Sequence, residues 1–207
     1  MSPSRPMRGL AIIAALVALA LAQQPSLAGR FNKVLSVGDA GPAWTDLPGV
    51  DDRKHGLADL KDAKAVVVVF SCNHCPVATA YEDRLIALAK YYRDKGVAFV
   101  AISVSLDPSD DLEKMKVRAR EKVYNFPYLH DATQEIARRY GATRTPQVFV
   151  LDGKRKIAYM GAVDDDNEAE AAKKHYLRDA LEAALAGKKP PVTETRPRGC
   201  EIGWKAK

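Results

Sequence analysis

The most reactive side chains of this chain are three cysteines, and two of them, Cys72 and Cys75, lie close together. The preceding residues 65–70 are apolar and rich in β-branched side chains, which predicts a buried strand. Apolar side chains then recur at helical spacing, at Val77, Tyr81, Leu85, Leu88 and Tyr92. Pro76 suits the first turn of that helix, and a helix N-terminus stabilises a thiolate. Because the two cysteines are three positions apart, their sulfurs can close a small disulfide ring, so the sequence predicts a redox-active pair.

The first 28 residues have the pattern of a secretion signal. Arg5 and Arg8 precede an uninterrupted apolar run over residues 10–22, and Ser26-Leu27-Ala28 places small residues where a signal peptidase cleaves. The run is shorter than the roughly 20 apolar residues that span a bilayer. The sequence therefore predicts a signal peptide over residues 1–28, cleaved near Ala28. The mature protein is expected to be periplasmic or secreted, with no stable membrane span.

The charge pattern excludes one class of partner. The formal net charge is +6, and because Arg5 and Arg8 belong to the leader, 6 − 2 leaves +4 for the rest. Lys and Arg are interspersed with Asp and Glu and form no basic stripe, which disfavours binding to nucleic acid. Three cysteines are also too few for a disulfide-stapled scaffold. In an oxidising compartment, a close pair with one extra cysteine indicates redox chemistry with a leftover thiol.

The order of the strands and helices expected around the cysteine pair predicts an α/β domain over residues 35–187. After an irregular start, the order is strand, helix, strand, two helices, a strand hairpin and a closing helix. A strand–helix–strand unit implies a parallel pair joined by a right-handed crossover. We therefore expect a central mixed β-sheet with helices on both faces, in which residues 164–166 form the solvated N-terminus of the closing helix. A basic, Pro-rich tail over residues 188–207 carries Cys200.

Three segments of the chain resemble a known group of proteins. They are residues 70–85 (FSCNHCPVATAYEDRL), 140–151 (YGATRTPQVFVL) and 199–204 (GCEIGW). Together with the leader and the order of elements, they resemble exported bacterial thioredoxin-like proteins of the redoxin group, often labelled peroxiredoxin-like. The likeness spans roughly residues 35–205, and it implies a thioredoxin-like fold and thiol–disulfide oxidoreductase activity.

The resemblance also implies roles for single residues. Cys72 resembles the exposed, attacking thiol and Cys75 the resolving thiol, so no cofactor or metal is expected beyond a redox-active Cys72–Cys75 disulfide. Motifs of this kind lower the pKa of the first cysteine to about 3.5–7.5, and His74 is expected to tune it further. Pro146 resembles the cis-proline of the fold, and its neighbour Thr145 would offer backbone groups to an extended substrate.

The chain departs from thioredoxin itself at two positions. Ser71 stands where a tryptophan precedes the first cysteine, and Val66 stands in place of a buried acid. A proton acceptor for Cys75 is therefore missing or is supplied by another residue, such as His74 or Glu82. The implied partners are protein or small-molecule thiols and disulfides, and a redox protein that donates or accepts electrons. The sequence does not fix the direction of the reaction.

Two other functions stay open at this stage. In a thiol peroxidase, Cys75 and Pro76 would match the Cys-Pro of peroxiredoxins and Arg144 their active-site arginine. However, Cys72 and Val68 stand where peroxiredoxins have a threonine and a proline. In a metal carrier, the two cysteines and a histidine would bind a soft ion such as Cu(I).

Two further residues belong to these alternatives. His130 is the best spare histidine for a metal carrier, although thioredoxin-fold copper chaperones space their cysteines one residue further apart. Cys200 is a possible third redox thiol brought to the site by the tail, or else a free buried thiol or an intermolecular link.

Overall fold

The computed structural model of the protein describes residues 29–206. The predicted signal peptide, residues 1–28, lies outside the described residues. Within the described part of the chain, we find no helix that combines the length and the apolar character needed to cross a membrane.

The described chain is built from short strands and four α-helices. The strands are β1 (Leu47–Pro48), β2 (Lys54–His55), β3 (Ala65–Phe70), β4 (Val97–Ser103), β5 (Tyr128–His130), β6 (Arg144–Thr145), β7 (Gln147–Leu151), β8 (Ile157–Gly161) and β9 (Cys200–Glu201). The helices are α1 (Pro76–Arg93), α2 (Leu112–Glu121), α3 (Glu135–Tyr140) and α4 (Tyr176–Leu185). Two 3₁₀ helices span Leu57–Leu60 and Pro108–Asp110.

Five strands form the central sheet in the order β5-β4-β3-β7-β8. Strand β3 pairs in parallel with β4 and antiparallel with β7, while β5 is parallel to β4 and β8 antiparallel to β7. The sheet is therefore mixed, as predicted. All six residues of β3 are buried, which is why its sequence is continuously apolar instead of alternating.

Two apolar clusters lie on the two faces of the sheet. Successive residues of a strand point to opposite faces, so Val67 and Val69 join the cluster formed with α1, α2 and α4. Val66 and Val68 join the cluster formed with Trp44 and α3. Helices thus cover both faces, which confirms the predicted α/β thioredoxin-like architecture.

The acidic run at residues 164–166 does not start a helix, because α4 begins only at Tyr176. Asp164 is almost fully buried. It accepts a hydrogen bond from the Tyr81 hydroxyl at 2.6 Å and pairs with Arg84. The prediction of a solvated helix N-terminus was wrong, because these donors from α1 compensate the desolvation of this carboxylate.

A second buried carboxylate, Glu82, ties α1 to α2. Its side chain is 2% exposed. Arg118 donates to it through Nε at 2.9 Å and Nη2 at 2.6 Å, and the Tyr124 hydroxyl donates at 3.1 Å. A buried carboxylate needs such donors to offset its lost hydration. Glu82 therefore serves the packing of two helices.

We expect Glu82→Ala to lower the free energy of unfolding by about 1–3 kcal/mol, because it removes hydrogen bonds between charged groups and leaves a gap between α1 and α2. Urea denaturation followed by circular dichroism measures the change. The control is Asp83→Ala, one position along, where the carboxylate is 81% exposed and pairs with Lys122. Its effect should stay within about 1 kcal/mol. Equal effects of the two variants would contradict this role of Glu82.

Candidate active site

Cys72 lies in the loop that follows the buried strand β3. Its side chain is 3% exposed, and its sulfur lies 3.2 Å from the Thr145 hydroxyl oxygen. It is the free cysteine of the described chain. The first cysteine of the motif was expected to be exposed, but in this structure it is buried.

Cys75 lies at the N-cap of α1, one residue before Pro76. The Ala78 N–H donates to the Cys75 sulfur at 3.3 Å, and the Thr145 carbonyl oxygen lies 3.2 Å from that sulfur. An N–H group of the helix N-terminus is therefore directed at the Cys75 sulfur. The helix effect that the sequence assigns to the cysteine pair acts mainly on its second member.

Cys75 is disulfide-bonded to Cys200, with 6.0 Å between the two Cα atoms. The expected Cys72–Cys75 pair is thus not the one formed in this structure. The reason is a long-range contact, because β9 pairs with β6 and places Cys200 opposite Thr145. Cys72, Cys75 and Ala78 form one buried cluster, with Cys200 packed against it, so all three cysteines meet at the start of α1.

The surroundings of Cys72 act on its acidity in both directions. Burial raises the pKa of Cys72 above that of a free thiol, and the carboxylates of Asp110 and Asp107 raise it further. Hydrogen bonds from the Thr145 hydroxyl and the Cys75 N–H act in the opposite direction. Burial is the largest effect, so the expected lowering of this pKa is wrong for the disulfide-bonded form described here.

Asp110 is a site residue that the sequence analysis missed. Its side chain is fully buried, and it accepts hydrogen bonds from the Asn73 N–H and from His74 Nδ1. It ends the 3₁₀ helix Pro108–Asp110 after β4, far along the chain from the cysteine motif. A single acidic residue in a punctuated loop carries no signal of its own, so only the tertiary structure reveals it. His74, whose side chain is 40% exposed, is thereby oriented beside Cys72.

The predicted orienting residues lie beside the sulfurs. The Thr145–Pro146 peptide bond is cis, as the resemblance implies. Thr145 contacts Cys72 through its hydroxyl group and Cys75 through its carbonyl oxygen. Glu82, suggested as a proton acceptor for Cys75, instead faces Arg118 on α2.

The residues of the alternative functions are arranged differently from expectation. Ligand atoms of Cys72, His74 and Asp110 lie within 4.8 Å of one another and form the one group of the described residues that could hold a metal ion. That group lacks both Cys75 and His130. Arg144 donates to the Gly199 carbonyl oxygen and to Glu201, each at 2.7 Å, so its guanidinium group binds the C-terminal part of the chain.

The fold and the convergent cysteines define a thioredoxin-like redox protein. A family model described as Redoxin matches residues 36–176, and this chain belongs to the Redoxin family. Its recognition as a thioredoxin-fold redoxin is thus confirmed, and with it a thiol redox function. A search among curated proteins gave no match.

Several solved structures are similar to this chain. A hypothetical protein from Sinorhizobium meliloti 1021 is 32% identical, with a TM-score of 0.79, over 85% of this chain and 98% of that one. An uncharacterized conserved protein from Geobacillus kaustophilus is 36% identical, with a TM-score of 0.79, over 85% and 96%. A thiol:disulfide interchange protein of the thioredoxin family from Chlorobium tepidum TLS is 22% identical, with a TM-score of 0.58, over 73% and 99%, and shows the common fold.

We expect Asp110→Asn to move the midpoint of the pH profile for alkylation of Cys72 to lower pH. A carboxylate beside the thiol disfavours the thiolate, so its removal lowers the pKa of Cys72. In the non-reduced protein, Cys72 is the free thiol, and iodoacetamide labelling followed by mass spectrometry gives the profile. Asp62→Asn, at an exposed carboxylate, is the control and should leave the midpoint in place. An unchanged or higher midpoint in Asp110→Asn would contradict the charge effect.

Proposed function

We propose that this protein catalyses thiol–disulfide exchange, with Cys72 as the attacking thiol. Cys75 is the shared sulfur that bonds in turn to Cys72 and to Cys200. The observation that carries the proposal is the convergence of the three cysteines in one cluster at the start of α1, beside Thr145–Pro146. The substrates are thiols and disulfides of proteins or small molecules, and a redox protein supplies or accepts the electrons.

In the fully reduced form, the Cys72 thiolate attacks one sulfur of a substrate disulfide, and the other substrate sulfur leaves as a thiolate. The Cys75 thiolate then attacks the Cys72 sulfur, which releases the second substrate thiolate and forms the Cys72–Cys75 bond. Finally, the Cys200 thiolate attacks Cys75 and frees Cys72. Two electrons pass to the substrate, and protons released by the protein thiols balance those taken up by the substrate thiolates.

The end of this sequence is the pairing described above, with Cys75 bonded to Cys200 and Cys72 free. A dithiol redox partner returns the protein to the reduced form. The same steps in reverse oxidise a substrate dithiol, and the potential of the partner decides the direction.

The surrounding groups support each step. The Thr145 hydroxyl, 3.2 Å from the Cys72 sulfur, can donate to its thiolate. The Ala78 N–H, 3.3 Å from the Cys75 sulfur, favours negative charge on Cys75 when it attacks or leaves. The His74 imidazole, held by Asp110 beside Cys72, is placed to exchange a proton with that thiol.

A thiol peroxidase is the second candidate function. The Thr145 hydroxyl beside Cys72 supports it, because a peroxide needs a hydrogen-bond donor next to the attacked oxygen. In the described state, Cys75 is bonded to Cys200, so Cys72, and not the cysteine of the Cys-Pro pair, would react with the peroxide.

Export to the periplasm or the exterior is part of the proposal. It is supported by the basic and apolar pattern of residues 1–28 and by a disulfide that joins distant parts of the chain, because such bonds persist in oxidising compartments.

We expect Cys72→Ser to reduce disulfide exchange to the background rate, because it removes the attacking sulfur. Cys75→Ser should accumulate a mixed disulfide between Cys72 and the substrate, and Cys200→Ser should still complete one turnover. Single-turnover reduction of a disulfide-linked fluorescent peptide, with non-reducing mass spectrometry of the protein, checks these outcomes. Full activity in Cys72→Ser would refute the proposed role. Rapid turnover of hydrogen peroxide by a protein that is inactive on the peptide would favour the peroxidase.

A further inference from the structure

The C-terminal segment of residues 199–204, here called the tail segment, occupies the edge of the chain next to Pro146. Arg144 pairs with Glu201 and Thr145 with Cys200 in an antiparallel ladder. The Ile202 N–H donates to the Thr143 carbonyl oxygen at 3.0 Å. An extended polypeptide that approached the sulfurs would find these same backbone groups already paired.

The fit of the tail segment to this edge is close at Gly199. This residue has a φ of +132°, and a Cβ atom there would collide with the Thr145 carbonyl group. Only glycine allows the backbone to approach so closely in this conformation. By contrast, a Cβ atom at Gly203 would meet open space.

The tail segment also covers the attacking thiol. A small cleft of about 20 Å³ over the site is lined by Cys72, His74 and Thr145, and by Glu201, Ile202 and Gly203 of the tail segment. This volume is below the roughly 300–1,000 Å³ of sites that hold drug-sized ligands. With the tail segment in place, Cys72 is therefore open only to small reactants.

Beyond the disulfide, the tail segment is held by the burial of Ile202 against the Trp44 cluster and by a set of weaker polar contacts. The ladder has two residues on each side. The Arg144–Glu201 pair is 36% and 78% exposed, and such surface pairs contribute little. The Gln134 amide donates to the Gly203 carbonyl oxygen at 2.7 Å, and the Arg138 guanidinium lies 4.4 Å from the centre of the Trp204 ring. The Cys75–Cys200 bond is the covalent cross-link between this segment and the start of α1.

We propose that the tail segment is a redox-released cover, and that its release opens the Thr143–Thr145 edge to an extended polypeptide that carries the disulfide or dithiol on which Cys72 acts. This inference rests on the proposed function for the role of Cys72, and it defines the substrate class as polypeptide.

Release begins with cleavage of the Cys75–Cys200 bond, and two routes can cleave it. In the first, the Cys72 thiolate attacks the Cys75 sulfur, the Cys72–Cys75 bond forms, and Cys200 leaves as a thiolate that takes up a proton. No net electrons are transferred in this route. In the second, an external dithiol reduces Cys75–Cys200 to two thiols and is itself oxidised to a disulfide.

Hydrogen exchange of the full chain with mass spectrometry tests the release. In the oxidised protein, the amide of Ile202 should be protected by the Thr143 carbonyl group. Reduction with dithiothreitol, or the Cys200→Ser variant without reductant, should speed exchange in residues 199–204 at least about tenfold, which corresponds to about 1.4 kcal/mol. Peptides from β3 are the internal control and should stay protected. Equal protection before and after reduction would overturn the proposal.

Two glycine variants sharpen the test without removing a cysteine. Gly199→Ala should speed exchange of the tail segment in the oxidised protein, because the added methyl group meets the Thr145 carbonyl group. Gly203→Ala is the matched control and should leave the protection as in the unmodified protein. The same effect from both substitutions would contradict the close fit at Gly199.

A binding measurement tests the polypeptide class. The probe is a fluorescein-labelled peptide, Arg-Gly-Ser-Glu-Ile-Gly-Trp, which copies residues 198–204 with serine in place of Cys200. It should bind Cys200→Ser and the reduced protein, and not the oxidised protein. Lack of binding to every form would overturn the polypeptide class. Neither measurement requires turnover, so an inactive protein with a released tail segment would refute only the proposed function.

Discussion

The pairing of β3 with a neighbour on each side is the constraint on which the site depends. Strand β4 runs parallel to it and β7 antiparallel, so the end of β3, the end of β4 and the start of β7 all meet at one edge of the sheet. The cysteine loop follows β3, the 3₁₀ helix with Asp110 follows β4, and Thr145–Pro146 precedes β7. Because β3 is buried on both faces, it has no freedom to slip, and this fixes the relative positions of Cys72, Asp110 and Thr145.

At this edge, burial and hydrogen bonding have opposite effects on the pKa of Cys72. The N-terminus of α1 is directed at Cys75 through the Ala78 N–H, so the sulfur of Cys75 receives the stabilisation of the helix. Cys72 is buried and lines a small cleft together with Glu201, Ile202 and Gly203. Burial raises its pKa. Since Cys200 packs against the cluster that contains Cys72, a segment more than a hundred residues away in the sequence lies next to this thiol.

The sequence was sufficient for the central strands and for α1, because each has a local signature, and the resemblance to thioredoxin-like proteins added the cis-proline. The apolar residues of β3, the helical spacing after Pro76 and the Thr145-Pro146 pair before a strand are all visible within a short window. The disulfide partner of Cys75 and the role of Asp110 had no such signature. Both depend on contacts across the fold, namely the β6–β9 ladder and the bond to His74, and neither periodicity nor motif spacing encodes them. The prediction for Asp164 was wrong for a related reason. An acidic run has the same composition whether it is solvated or, like this residue, buried against Arg84.

The odd number of cysteines has a further consequence. Of the three cysteines that meet at the start of α1, an intramolecular disulfide can join only two, so the third remains a free thiol. When Cys75 is joined to Cys200 the survivor is Cys72, and when Cys75 is joined to Cys72 the survivor is Cys200. One thiol therefore stays free whichever intramolecular disulfide Cys75 forms. That thiol is either Cys72, next to β3, or Cys200, on the C-terminal strand β9.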